Sequence, residues 1–214
     1  MKLNINESKI NRNKPITKIS AKSKLTESLG NYTQDIKVCI GSWGSYNSNN
    51  ERALGSKWID LSDFSDWYEI EDELTAQGFD LEGIDEELFI QDIDGIDGIG
   101  EHENPQSVIE TIYESDILFD SNMGPVFDAF MEVSDWSEFK RLVDENGSNW
   151  ADEIYIYPDY DWDDLGREVF EQIYPELMEY DVIDNYFDFA EYGESLQYEG
   201  NYERFSKGII ELPY

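Results

Sequence analysis

Glu153-Ile154-Tyr155-Ile156-Tyr157-Pro158-Asp159-Tyr160-Asp161-Trp162-Asp163-Asp164-Leu165-Gly166-Arg167-Glu168-Val169-Phe170-Glu171-Gln172-Ile173 changes its hydrophobic period in the middle. Glu153–Tyr157 reads as a strand, ended by Pro158, which has no N–H for a ladder. After it the period becomes helical, with Trp162, Leu165, Val169 and Ile173 forming one apolar stripe. Asp161, Asp164, Glu168 and Glu171 form a second stripe about a third of a turn away. At ~1.5 Å rise per residue these four carboxylates span ~15 Å, one every ~5 Å. Phosphates along one strand of DNA advance ~3.4 Å each. A short strand running into an amphipathic helix sets the class as α+β, and the acids lie along that helix as a row.

Outward from this stretch, the same alternation of strand and helix recurs toward both termini. Ile36–Ile40 alternates and is β-branched, so it reads as a strand. Gly41–Asn50 is turn-rich, and Lys57–Leu61 resumes as a second strand, which predicts a hairpin with a long loop. Ser62 or Asp63 is positioned to cap a helix running through Gln77, with Gly78 as its stop. Phe64, Trp67, Tyr68, Glu71 and Leu74 keep its helical spacing, while Asp66, Glu69, Asp72 and Glu73 face largely outward. Glu87–Ile93 reads as a third strand and Asp94–Asn104 as a Gly/Asp loop. Helices are predicted over Pro105–Asp120, Pro125–Val133 and Trp136–Glu145, with Gly147 as the last stop. In the first of these Val108, Ile112 and Phe119 repeat on one face, and Asp116 and Asp120 form a like-charged i,i+4 pair. Pro175–Glu194 reads as further helix, and Tyr198–Tyr214 as a closing hairpin turning near Lys207-Gly208. Residues 1–35, rich in Lys, Asn and Ser, read as a mobile basic tail. The predicted organisation is thus a tail over 1–35, an N-terminal α/β lobe over 36–97, a central helical lobe over 98–150 and a C-terminal α/β lobe over 151–214.

Charge is the second organising fact. Trp58–Phe139 holds 25 Asp and Glu and not one Lys or Arg in 82 residues. Like charges at helical i,i+4 spacing each cost roughly 0.2–0.5 kcal/mol, so stability alone would intersperse bases here. Residues 1–35 carry seven bases against three acids, whereas residues 51–214 carry seven against 46, a charge of −39 within a total of −34. With 40% hydrophobic and 14% aromatic residues the chain still has mass for a core, unlike an acidic disordered polymer. Such a field excludes nucleic acid and anionic membrane as direct partners of the body and favours a basic protein groove or multivalent cations. A surface acidified only for solvation would be acidic throughout, and the basic N-terminal segment argues against that.

Few chemistries remain. Cys39 and His102 are the only residues of their kinds, so a zinc site and a Ser-His-Asp triad are both poorly supplied, and no internal disulfide forms. No run reaches the ~20 apolar residues of a membrane span, the basic N-terminus lacks an apolar h-region and does not read as a secretory signal, and a reducing cytoplasm fits. Asp92, Asp94 and Asp97 with Gly95 and Gly98 approach a calcium loop, but Ile96 and Asp97 occupy its fifth and sixth positions. A loop starting at Asp159 places Asp164 where Gly belongs and Phe170 where Glu belongs. Carboxylate pairs suited to glycoside hydrolysis occur by chance among so many acids and carry no signal. We therefore expect no enzyme, no catalytic residue, no metal and no cofactor. The candidate phosphate-mimicking surface comprises Asp92, Asp94, Asp97, Glu110, Glu114, Asp116, Asp120, Asp159, Asp161, Asp164, Glu168 and Glu171.

Three stretches resemble the ArdA antirestriction family. Val38-Cys39-Ile40-Gly41-Ser42-Trp43-Gly44-Ser45-Tyr46-Asn47, followed by Leu54-Gly55-Ser56-Lys57-Trp58, is similar to that family's opening strand, Gly-x-Tyr-Asn turn and second strand. Glu86-Glu87-Leu88-Phe89-Ile90-Gln91-Asp92 resembles its acidic strand. Asn185-Tyr186-Phe187-Asp188-Phe189-Ala190-Glu191-Tyr192-Gly193 resembles its C-terminal segment. The resemblance implies an elongated, multi-lobed α+β homodimer that imitates bent duplex DNA. It implies occupation of the DNA-binding groove of type I restriction–modification enzymes, in the bacterial cytoplasm, in defence of incoming mobile DNA. It also places Tyr186, Phe187, Phe189 and Tyr192 near the dimer seam. A second reading of the charge alone is an acidic, chaperone-like binder of basic proteins.

Overall fold

The computed structural model describes residues 29–199 and 201–213, so what the sequence predicts for residues 1–28 lies outside the described residues. The described chain divides into two compact units that meet in sequence at Glu153 and Ile154.

The first unit is built on a three-stranded antiparallel sheet ordered β2-β1-β3, with β1 Lys37–Ser42, β2 Ile59–Asp60 and β3 Leu88–Asp94. Ile36, Val38 and Ile40 are buried with Ile59, Phe89 and Ile90. Between β1 and β2 lies a six-residue helix, α1 Trp43–Ser48, where turn was expected; the Ser42 side chain caps it by accepting from the Ser45 N–H. The second strand is shorter than Lys57–Leu61, because Asp60 caps a 3-10 turn over Leu61–Asp63. The following helix, α2 Trp67–Ala76, starts at Asp66 instead of Ser62 or Asp63, and buries Trp67, Ile70 and Leu74. Phe64 precedes this helix and Tyr68 is exposed on it, so neither belongs to its core face.

Helices α3 Pro105–Glu114, α4 Met123–Val133 and α5 Trp136–Asn146 complete the unit. Helix α3 ends six residues before the predicted Asp120, because Ser115 caps it and Asp116 takes φ 60°. Phe119 therefore leaves the face of Val108 and Ile112 and is exposed. Phe127, Phe130, Phe139 and Trp150 form one aromatic core, the Trp150 ring standing edge-on to Phe139 at 4.9 Å. The indole Nε1–H of Trp150 donates to the Ser115 carbonyl at 3.0 Å, which satisfies the one polar atom that burial would orphan.

The second unit carries an antiparallel sheet ordered β4-β6-β5, with β4 Tyr155–Pro158, β5 Tyr202–Phe205 and β6 Gly208–Glu211. Its helices are α6 Trp162–Ile173, α7 Asp181–Tyr186 and α8 Phe189–Glu199. The helix expected over Pro175–Glu194 is broken by an extended Phe187, after which Asp188 accepts from the Glu191 N–H and restarts it. Helices α6 and α8 form the most extensive helix pair of the described chain. They cross at two glycines: a Cβ on Gly166 would lie 2.0 Å from the Phe189 carbonyl oxygen, and one on Gly193 would lie 1.9 Å from that of Trp162. The buried face of α6 is accordingly Leu165, Gly166 and Phe170, not the stripe through Val169 and Ile173, and Ile173 is exposed. Together these elements make the fold α+β, with one small sheet toward each end of the sequence.

Candidate functional site

In the C-terminal unit the acids gather around the start of α6. Asp161 caps the helix, accepting from the Asp164 N–H at 3.0 Å, while Asp164 accepts in return from the Asp161 N–H at 3.3 Å. This reciprocal box satisfies two amide donors that a helix start leaves open. Asp159 turns the chain out of β4 with φ 62°, its N–H donating to the Lys207 carbonyl at 2.8 Å. Glu168 accepts from the Tyr160 hydroxyl at 2.5 Å and from Gln172 Nε2 at 3.2 Å. The hydrogen bond to Glu168, with burial, pushes the Tyr160 phenol up to about 12. Asp159, Tyr160, Asp164, Arg167, Glu168 and Glu171 line one open cleft with Pro158. Arg167, the cation in this row, is turned to Asp184 on α7 and lies over the Phe189 ring at 4.3 Å. Asp164, Glu168 and Glu171 make no ion pair among the described residues.

In the N-terminal unit the candidate acids occupy three settings. Asp92 and Asp94 are exposed on β3, an edge strand of its sheet. The ladder slips between Cys39 and Ile40, leaving Gln91 as the extra residue, so Gln91 and Asp92 are both exposed in succession. Asp97 is exposed in the loop beyond. Glu110 and Glu114 lie one turn apart on the exposed side of α3, and Gln106 donates to Glu110 at 2.8 Å. Asp116 and Asp120 are not a helical pair. They stand in the turn after α3, both half-buried, and Asp120 accepts from the Asn122 amide N–H at 2.9 Å and from its side chain at 2.8 Å. A further acidic cleft, absent from the sequence-derived surface, is lined by Asp63, Phe64, Glu69, Asp72 and Glu73. The spacing of Glu69, Asp72 and Glu73 on the outer side of α2 was its signal. Among the described residues no three His, Cys, Asp or Glu side chains converge as metal ligands, at Asp92–Asp97 or elsewhere.

Not every acid is available to a partner. On α5, Arg141 bridges Glu138 and Glu145 at 2.6 Å each, and Lys140 holds Asp144 at 2.9 Å. The Arg141 hydrogen bond keeps the Glu138 carboxyl below its usual range. Asp85 is fully buried and takes up the Ser45 hydroxyl, the Asp80 N–H at 2.9 Å and the Arg52 guanidinium at 3.4 Å. Burial pushes this carboxyl up, yet its donors outweigh burial and hold it below the usual range. These acids are structural, whereas Asp92 and Asp94 on β3, Glu110 and Glu114 on α3, and Asp164 and Glu171 on α6 are exposed, with Glu168 half-buried against Tyr160 between the last two.

The four aromatics expected at a dimer seam separate. Phe189 is 2% exposed, Phe187 and Tyr192 are half-buried, and Tyr186 is 84% exposed. The Phe187 and Phe189 rings lie 4.5 and 5.6 Å from Phe170, and Tyr192 lies 5.8 Å from it. These three make a cluster inside the unit, while Tyr186 stands outside it with Tyr180 and Val182, which are 61% and 58% exposed. No described helix is long and apolar enough to cross a membrane.

The family model described as "Antirestriction protein (ArdA)" matches residues 38–211. No match is found among curated proteins.

Proposed function

As this chain belongs to the ArdA antirestriction protein family, we propose that it inhibits type I restriction–modification enzymes by presenting carboxylates where their DNA-binding groove receives phosphates. The observation that carries this reading is the row Asp164, Glu168 and Glu171 along one cleft, none of them ion-paired among the described residues, in a body charged −39. A groove lined with Lys and Arg gains from such a row the charge-assisted hydrogen bonds, and the counterion release, that it gains from DNA. Asp161 keeps the row in register by fixing the first turn of α6, and Tyr160 fixes the Glu168 carboxylate. Asp92, Asp94, Asp97, Glu110 and Glu114 extend the same chemistry over the N-terminal unit. Base edges have no counterpart in a surface of carboxylates, so inhibition is indifferent to the enzyme's recognition sequence. The protein acts as a homodimer, and the exposed Tyr180, Val182 and Tyr186 supply the apolar contact that self-association of an acidic chain requires.

The test is competition between the purified protein and duplex DNA for a type I methyltransferase core. Stoichiometric displacement of DNA supports the proposal. Failure to displace DNA, together with comparable binding to histone-like basic proteins, supports instead a general acidic binder.

A further inference from the structure

Residues 32–35 lie before the first strand, in a segment whose composition reads as tail, yet Tyr32 and Gln34 are both fastened to the turn after α3 and to α4. The Tyr32 N–H donates to the Ser121 carbonyl at 2.9 Å and the Gln34 N–H to the Ile117 carbonyl at 2.8 Å. The Gln34 side chain donates to the Gly124 carbonyl at 3.1 Å and to Asp128 Oδ1 at 2.7 Å, and the Tyr32 hydroxyl donates to Asp128 Oδ2. The backbone runs so close to α4 that a Cβ on Gly124 would sit 2.1 Å from the Tyr32 carbonyl oxygen. At the other end a Cβ on Gly95 would sit 2.3 Å from the Asp35 carbonyl oxygen. Residue 36 then enters the core as a fully buried Ile.

The anchor points are informative. Ser121 follows Asp120, Ile117 follows Asp116 and Gly95 follows Asp94, three members of the candidate surface that lie on two separate parts of the chain. An extended strap advances ~3.3 Å per residue, so residues 32, 34 and 35 span only ~10 Å and tie Ser121 and Ile117 to the same short run of backbone that passes against Gly95. Resting on the function proposed above, we infer that residues 32–35 are a positioning strap, locked by Asp128, which holds Asp94, Asp116 and Asp120 at a fixed spacing for the target's groove. Tyr32, Gln34 and Asp128 are its positioning residues. Asp128 spends its carboxylate on the lock and makes no contact with the target.

The test uses the full chain with Tyr32→Phe/Gln34→Ala, which removes the lock's donors without altering charge, and separately Gly124→Ala, which displaces the strap. Half-inhibitory concentration against a type I enzyme is measured at a temperature where circular dichroism shows the variant folded. The slope of log affinity against log salt is measured in parallel. The strap predicts about tenfold weaker inhibition and a slope shallower by about 2 to 3, at ~0.9 per released phosphate-equivalent contact. A lower melting temperature with potency and slope unchanged would make the strap merely structural and overturn the inference. Weaker inhibition at an unchanged slope would overturn it too. Should Gly124→Ala fail to fold, the Tyr32/Gln34 variant decides alone. Asp94→Asn/Asp116→Asn/Asp120→Asn with the strap intact separates the two levels. If it inhibits like the parent, the strap inference falls, while the mimicry proposal falls only if amide substitutions along α6 are equally inert.

Discussion

Placing a single methyl group at the α6–α8 crossing puts the architecture under the acidic row to a sharp test. In Gly166→Ala the new Cβ starts 2.0 Å from the Phe189 carbonyl oxygen and 2.8 Å from the Gly193 amide nitrogen. Ordinary contact begins at 3.4 Å, so the helices must part by about 1.4 Å. Both obstructing atoms are backbone, so no side-chain rotation relieves the clash. Overpacking of this kind costs ~1–3 kcal/mol, here at the upper end, and loosens the Phe170–Phe187–Phe189 cluster beneath. Against it stands the ~1 kcal/mol that Ala gains over Gly inside a helix. The net is a loss of about 2 kcal/mol, or roughly 8–16 °C for a unit of this size. Gly193→Ala, facing the Trp162 carbonyl, should behave alike. Thermal unfolding followed by near-ultraviolet circular dichroism gives the shift, and hydrogen exchange of α6 and α8 amides assigns it to the C-terminal unit. If Gly166→Ala instead raises the transition, the crossing is loose and the placement of the acidic row is not set by it.

Asp161→Asn/Asp164→Asn/Glu168→Gln/Glu171→Gln should leave the unit's stability within ~1 kcal/mol, since Asn caps a helix as well as Asp does, while inhibition falls at least tenfold in the restriction assay. Asp85→Ala strands the Asp80 N–H, the Ser45 hydroxyl and Arg52, and should cost ~3–5 kcal/mol in urea unfolding. Because the folded-state pKa of Asp85 is depressed, its contribution is complete above ~3.9 and is lost as pH falls through the folded value. The parent should therefore lose stability on acidification below about pH 4 more steeply than the variant does. Val182→Ser/Tyr186→Ser, on an exposed face, should lower the sedimenting mass to that of a protomer without changing the dichroism spectrum. An unchanged mass would place the dimer contact elsewhere.

Much of this organisation is legible in the sequence, because strands and helix stops announce themselves through β-branched alternation, Pro158 and Gly147. The outward acids on α3 follow from helical period alone, whereas Asp161, by period the first acid of the α6 row, is the cap that precedes the helix. What is hidden shares a physical cause: contacts made by backbone leave no hydropathic trace. Gly166 and Gly193 define the buried side of α6, yet glycine looks like neither core nor surface, so hydropathy alone marks Val169 and Ile173 instead. The strap at residues 32–35 is held by amide groups and one distant carboxylate, and Tyr32-Thr33-Gln34-Asp35 shows no hydrophobic period. Tyr186 and Phe189 sit three residues apart with similar polarity, but a break at Phe187 sends one to solvent and the other to the core.

The central claim, that carboxylates replace phosphates in the target's groove, is tested most directly by the salt dependence of the complex. Affinity of the protein for a type I methyltransferase core is measured from low to moderate ionic strength, beside a DNA duplex binding the same enzyme. The account predicts a steep, linear fall of log affinity with log salt, parallel to that of DNA, because both release counterions from the same basic groove. A flat response would mean that the interface is mainly apolar, and would contradict it.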